Sequence, residues 1–196
     1  MKATHRPDLF TWSGFDEARN LDFNGWAWIR PEGNVLIDPM PMSAHDLRHL
    51  DSLGGATWIF ISNSDHTRAV VELSRRFGAK VGAPEAERVG FPILCDAFFV
   101  DGDTPVAGMR LVALSGSKTP GELAFVIGDT VIFGDLVRGH VGGRLNLLPD
   151  AKLNDRDAAL QSITRVLSLG RYEAVLVGDG WPVFTDGSAK LQALVS

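Results

Sequence analysis

Residues 59–70 read IFISNSDHTRAV, and the character of the chain changes twice within them. Ile59 to Ile61 continue an apolar run from Trp58, as expected of a strand buried on both faces. Ser62-Asn63-Ser64-Asp65-His66 then breaks that run. Ala69, Val70, Leu73 and Phe77 follow at helical spacing, and Gly78 closes the helix. Strand, polar break and helix together form an α/β unit, and the break carries an aspartate beside a histidine. That pair looks like half of a metal site, so the rest must come from elsewhere in the chain.

Working outward, the same pattern recurs. WAWI (26–29) and VLI (35–37) flank the turn residues Arg30-Pro31-Glu32-Gly33-Asn34 and predict a hairpin. Ser43 suits the N-cap of a helix through AHDLRHLDSL (44–53), which Gly54-Gly55 would end. Lys80 to Pro84 is a short strand. Further strands are MRLVALS (109–115), ELAFVIG (122–128), TVIFGD (130–135) and EAVLV (173–177). Asp155 to Leu169 is a helix with an apolar stripe at Leu160, Ile163, Val166 and Leu167, and Ser188 to Val195 is a terminal helix. The pattern implies two sheets packed face to face with helices outside, in one domain spanning 1–196.

Bulk properties narrow the function. The chain has 196 residues, 45% hydrophobic and 22% charged, with formal net charge −5. That composition supports a core, and the acidic balance without a basic run argues against nucleic acid as a partner. No stretch approaches the roughly 18 apolar residues of a membrane span. With a single cysteine, Cys95, and no apolar leader at the N-terminus, the expectation is a cytoplasmic protein. Cys95 itself, within FPILCDAFF, reads as a small buried hydrophobe.

Carboxylates close four apolar strands: Asp38 in VLIDP, Asp65 in IFISNSD, Asp135 in TVIFGD and Asp179 in AVLVGD. Converging strand ends would bring these charges together, and they would need a metal ion, a lysine or a proton among them. Ser62, Ser64 and Ser117 lack the elbow context of a nucleophile.

From Asn24 to Trp181, five segments in order resemble the metallo-β-lactamase fold superfamily. FNGWAWIRPEGNVLIDPM resembles its opening hairpin, and ISNSDH stands where the family has His-x-His-x-Asp-His. SGSKTPGE stands at Gly-His-Thr-Pro-Gly, TVIFGD at the strand of the bridging aspartate, and LVGDGW at the strand ending in the last histidine. The resemblance implies a four-layer αβ/βα sandwich of two mixed sheets. It also exposes departures. The first-metal histidines fall on Ile61, Asn63 and Lys118 (or Ser117 with the gap moved), and the last histidine falls on Asp179.

Two functional readings follow. One is a hydrolase of an ester, thioester, lactone or phosphate, either using one divalent ion (Mn, Fe or Zn) held by Asp65, His66, Asp135 and Asp179 with Lys118 stabilising the developing oxyanion, or working without metal with Asp65 as general base beside Lys118. In the other, no ion binds and Lys118 replaces the metal charge. The protein would then bind a small molecule or a protein, or pair as a homodimer. Asp38, Asn63, Ser117, Arg138, His140 and Trp181 are the expected pocket residues, Arg138 and His140 on a Gly-rich loop.

Overall fold

The computed structural model describes all 196 residues, Met1–Ser196. The first half of the chain builds a seven-stranded sheet whose strands lie side by side in chain order. They are β1 (Lys2–Ala3), β2 (Leu9–Asp16), β3 (Leu21–Trp28), β4 (Val35–Ile37), β5 (Trp58–Phe60), β6 (Lys80–Pro84) and β7 (Ala97–Phe99). Pairing is antiparallel from β1 to β4 and parallel from β4 to β7. Helices α1 (Ala44–Ser52) and α2 (Val70–Phe77) supply two of the crossovers that parallel neighbours require. Ser43 caps α1 by accepting the Asp46 amide at 3.1 Å, and Gly78 ends α2 in the left-handed conformation.

The second half builds a four-stranded sheet from β8 (Met109–Leu114), β9 (Glu122–Ile127), β10 (Thr130–Phe133) and β13 (Ala174–Val177). Its spatial order is β13-β10-β9-β8, with only β10–β13 parallel. A separate two-stranded ribbon of β11 (Val137–Val141) and β12 (Arg144–Leu147) precedes α3 (Arg156–Leu169), and α4 (Gly187–Gln192) closes the chain.

Alternation along the strands sorts the apolar side chains into layers. On β4 and β5, Val35, Ile37 and Phe60 point toward the second sheet, where they join Leu123, Phe125, Ile132 and Leu176. Leu36, Ile59 and Ile61 point the other way, onto Leu50 of α1 and onto Val70 and Leu73 of α2. On the second sheet, Val131, Phe133, Val175 and Val177 face Ala159, Ile163 and Val166 of α3 and Leu191 of α4. The result is helix, sheet, sheet, helix: the expected αβ/βα sandwich, with both sheets mixed.

One strand goes unmarked in the sequence pattern, and one expectation is revised. Strand β2 pairs with β3 over eight residues, although Ser13, Gly14 and the exposed Phe15 hide its period from sequence. The stretch after Asp135, expected as a loop, is the β11–β12 ribbon. Three glycines between 139 and 143 dilute its strand signal.

Candidate functional site

The ends of β4, β5, β10 and β13 meet at one edge of the sheet pair, where parallel strands leave a crevice beyond their carboxyl ends. Asp38, the Ser62–His66 segment, Asp135 and Asp179 come together there. Asn63 caps the single helical turn Ser64–His66 by accepting the Asp65 amide at 3.0 Å. That turn swings His66 inward and Asp65 outward. The His66 ring fits because position 178 is glycine: a Cβ there would lie 3.0 Å from the ring and 2.6 Å from the Gly134 carbonyl.

His66 stands between two carboxylates. Its Nδ1 is 2.8 Å from Asp38 Oδ2, and its Nε2 is 3.3 Å from Asp135 Oδ2. Ser62 holds Asp38 in place, donating its amide at 2.8 Å and its hydroxyl at 2.6 Å. Burial opposes charge on the imidazole, but Asp38 and then Asp135 outweigh it and raise the pKa to about 9. His66 is therefore an imidazolium at neutral pH. Burial likewise opposes the Asp38 charge, and His66 overcomes it, holding that carboxyl below its ordinary range.

Asp135 is the hub. Lys118, on the loop between β8 and β9, places Nζ 3.0 Å from Asp135 Oδ2 and 2.7 Å from Asp65 Oδ2. Asn63 donates to Asp135 Oδ2 at 3.0 Å. Arg138 reaches Asp135 Oδ1 at 3.3 Å and Asp179 Oδ2 at 3.0 Å. Burial would raise the Asp135 pKa, but His66 and Lys118 hold it far below the usual carboxylate range. Beneath it, Glu122 accepts the Asp135 and Leu136 amides at 2.9 and 3.0 Å and the Ser117 hydroxyl at 2.6 Å. Burial and the neighbouring Asp135 push Glu122 up to about 7.

Over this network lies a cavity of about 500 Å³, walled by Leu21, Phe23 and Met40 on its apolar side and otherwise by charged residues and His66. Asp65, His66, Lys118, Asp135, Arg138 and Asp179 all line it. Five other expected pocket residues do not. Asp38 and Asn63 are fully covered and support its floor, and Ser117 is buried against Glu122. His140 is exposed on the β11–β12 ribbon. Trp181 is 60% exposed with its ring against Gly142, so it is no pocket wall. Arg138 does line the cavity, as expected, but from strand β11 rather than from a loop. It is 7% exposed, because pairing along β11 turns its side chain inward.

Sequence reasoning passed over Arg68, Glu122, Arg19 and Lys152. Arg68 left one local signal, being two residues from His66. Position 139 fixes Arg138: the Gly139 amide donates to Asp179 O, and Gly139 O accepts from the Trp181 amide at 2.7 Å. A Cβ at 139 would lie 1.9 Å from Trp181 O. Gly139→Ala should therefore lower stability by roughly 1–3 kcal/mol in urea unfolding and loosen Arg138 from both aspartates.

The family model described as the metallo-beta-lactamase superfamily matches residues 1–196. The chain belongs to that superfamily. A hydroxyacylglutathione hydrolase of Acidiphilium cryptum (strain JF-5) is 28% identical over 114 residues, 54% of this chain and 46% of that protein, so the chain matches about half the length of this curated relative. Among solved structures, TTHA1623 in a di-iron-bound form is 25% identical with TM-score 0.70, covering 89% of this chain and 94% of that one. A metallo-beta-lactamase from Pontibacter korlensis has TM-score 0.73 at 16% identity, covering 95% and 93%, a likeness of fold.

A two-ion centre of the superfamily's kind does not fit this chain. Ile61 offers no donor atom, Asn63 is committed to Asp135, and the Lys118 ammonium stands where a ligand would be needed. The donors for one ion are present in part: atoms of His66, Asp135 and Asp179 lie within 4.8 Å of one another, all buried. Asp65, the fourth expected ligand, stands outside that set. Its side chain is 54% exposed and paired with Lys118.

Proposed function

We propose that this divergent superfamily member holds fixed protein cations where its relatives hold metal, and that its cavity binds a small molecule. The observation that carries this reading is the pairing of the three buried strand-end carboxylates with protein cations. Lys118 and Arg138 neutralise Asp135 and Asp179, while His66 neutralises Asp38. A divalent ion would enter beside two cations already at hydrogen-bond distance from its ligands, and Coulomb repulsion at low local dielectric opposes it.

One observation favours a second reading, a single-ion hydrolase. Asp179 Oδ1 is buried without any hydrogen-bond partner, an orphan acceptor that a cation would satisfy. An ion at His66, Asp135 and Asp179 would supply an activated water, and Lys118 would hold negative charge developing on an ester or thioester oxygen. Asp65, open to solvent beside Lys118, would accept a proton.

Elemental analysis of protein purified without metal-affinity resin separates the two. The expected result is far less than one equivalent of Mn, Fe or Zn, unchanged in Asp179→Ala. Near-stoichiometric metal that disappears in Asp179→Ala would overturn the first reading in favour of the second.

A further inference from the structure

Above the neutralised floor, the mouth of the cavity carries three more cations: Arg19, Arg68 and Lys152. Their situations differ from those of Lys118 and Arg138. Lys152 is exposed and has no ion-pair partner, while Arg19 reaches only Asp16, at 3.8 Å. Arg68 touches no carboxylate at all. Its Nη1 donates to the backbone carbonyls of Asn24 and Asp38 at 2.9 and 3.1 Å. Its Nη2 lies 3.3 Å from His66 Nε2. The Nε hydrogen and the second Nη2 hydrogen have no partner. A half-buried guanidinium of the cavity lining is thus pinned by two carbonyls and the His66 ring, with donors left over.

The backbone around Arg68 is also strained. Arg68 has φ 26° and Asp38 has φ 45°, the left-handed region that non-glycine residues avoid. Such strain gathers at ligand clamps, where a side chain must be aimed. The Phe23 ring supports both arginines of the mouth, with the Arg19 and Arg68 guanidinium carbons 5.5 and 5.4 Å from its centroid. Phe23, Leu21 and Met40 meanwhile give the cavity an apolar side.

We propose that the cavity binds a small organic oxyanion, a carboxylate or phosphate carried on a short apolar body, with Arg68 as its principal anchor and Lys152 and Arg19 beside it. This inference rests on the metal-free reading above. The oxyanion accepts the free Arg68 donors in the fork geometry that guanidinium presents, and the apolar body lies along Phe23, Leu21 and Met40.

The test uses the full chain after chelator treatment, with its metal content verified. Phenyl phosphate and benzoate are titrated separately at constant ionic strength, following the melting temperature and the heat of binding. At least one probe should bind saturably at millimolar concentration, and which one does distinguishes phosphate from carboxylate. Arg68→Gln should weaken it by about tenfold or more, the scale of one charge-assisted hydrogen bond. Lys152→Gln, on an exposed side chain whose loss the fold tolerates, should weaken it by a smaller factor and keeps the test valid if the Arg68 variant fails to fold. The inference is overturned if the metal-free protein ignores both probes, or if both variants bind as wild type does; the metal-free reading then still stands. Binding that appears only after Zn or Mn is restored would overturn both.

Discussion

Asp135→Ala should destabilise the protein by about 3–5 kcal/mol, the scale on which removal of one partner strands buried charge. The expectation follows from the number of groups that lose their counterion together. Lys118, Arg138 and His66 all lie within 3.3 Å of the Asp135 carboxylate, and its side chain is 3% exposed. Relaxation cannot hydrate Arg138, whose side chain is 9% exposed, without opening the ribbon that carries it. Asp65→Ala removes a carboxylate from the same lysine, yet its expected cost is below about 1 kcal/mol, because Asp65 is more than half exposed and Lys118 keeps Asp135. Urea unfolding at pH 7 compares the two. Equal losses would mean that the buried network does not hold the site as described.

Stability should also fall as pH rises from 6 to 9.5, on the order of 3 kcal/mol. His66 titrates near 9 in the folded protein against 6.5 unfolded. The folded state therefore binds an extra proton across that window. Its contribution is complete below pH 6.5 and is lost as pH passes through 9. Glu122, pushed up to about 7 from 4.5, acts in the same sense at lower pH, since its proton is also held more tightly in the folded state. Asp38 and Asp135 act oppositely: their lowered pKa values favour the fold above 3.8, an advantage lost in acid. The melting temperature should therefore peak in the mildly acidic range. His66→Gln should flatten the limb above pH 7, and a limb that persists in that variant would assign it to other groups.

The metallo-β-lactamase architecture was legible because its determinants are short-range. The apolar run Trp58–Ile61, the cap at Ser43 and the glycine at 78 each specify an element locally, and the order of elements leaves few topologies. The carboxylates at strand ends were legible for the same reason. Arg138 was not, because its burial depends on Gly139 approaching Trp181, a contact between segments forty residues apart. Glu122 opens an apolar strand and looks like its solvent-facing start, until the Ser117 hydroxyl and two amides converge on it. Arg68 is marked in sequence only by its place two residues after His66, and its left-handed backbone emerges only in the fold.

Lys118 bridging Asp65 and Asp135 has a consequence on the evolutionary scale. A lineage carrying this network cannot regain a two-metal centre one substitution at a time. Lys118→His alone removes the ammonium before the first site of a two-ion centre has its other ligands, because positions 61 and 63 still lack histidines. Histidine at 61 must replace an isoleucine that is packed without exposure against the α2 layer, and histidine at 63 gives up the hydrogen bond to Asp135. Each such step disturbs a buried contact before the remaining ligands of the first site are in place, so the charge network opposes a stepwise return to the two-ion centre.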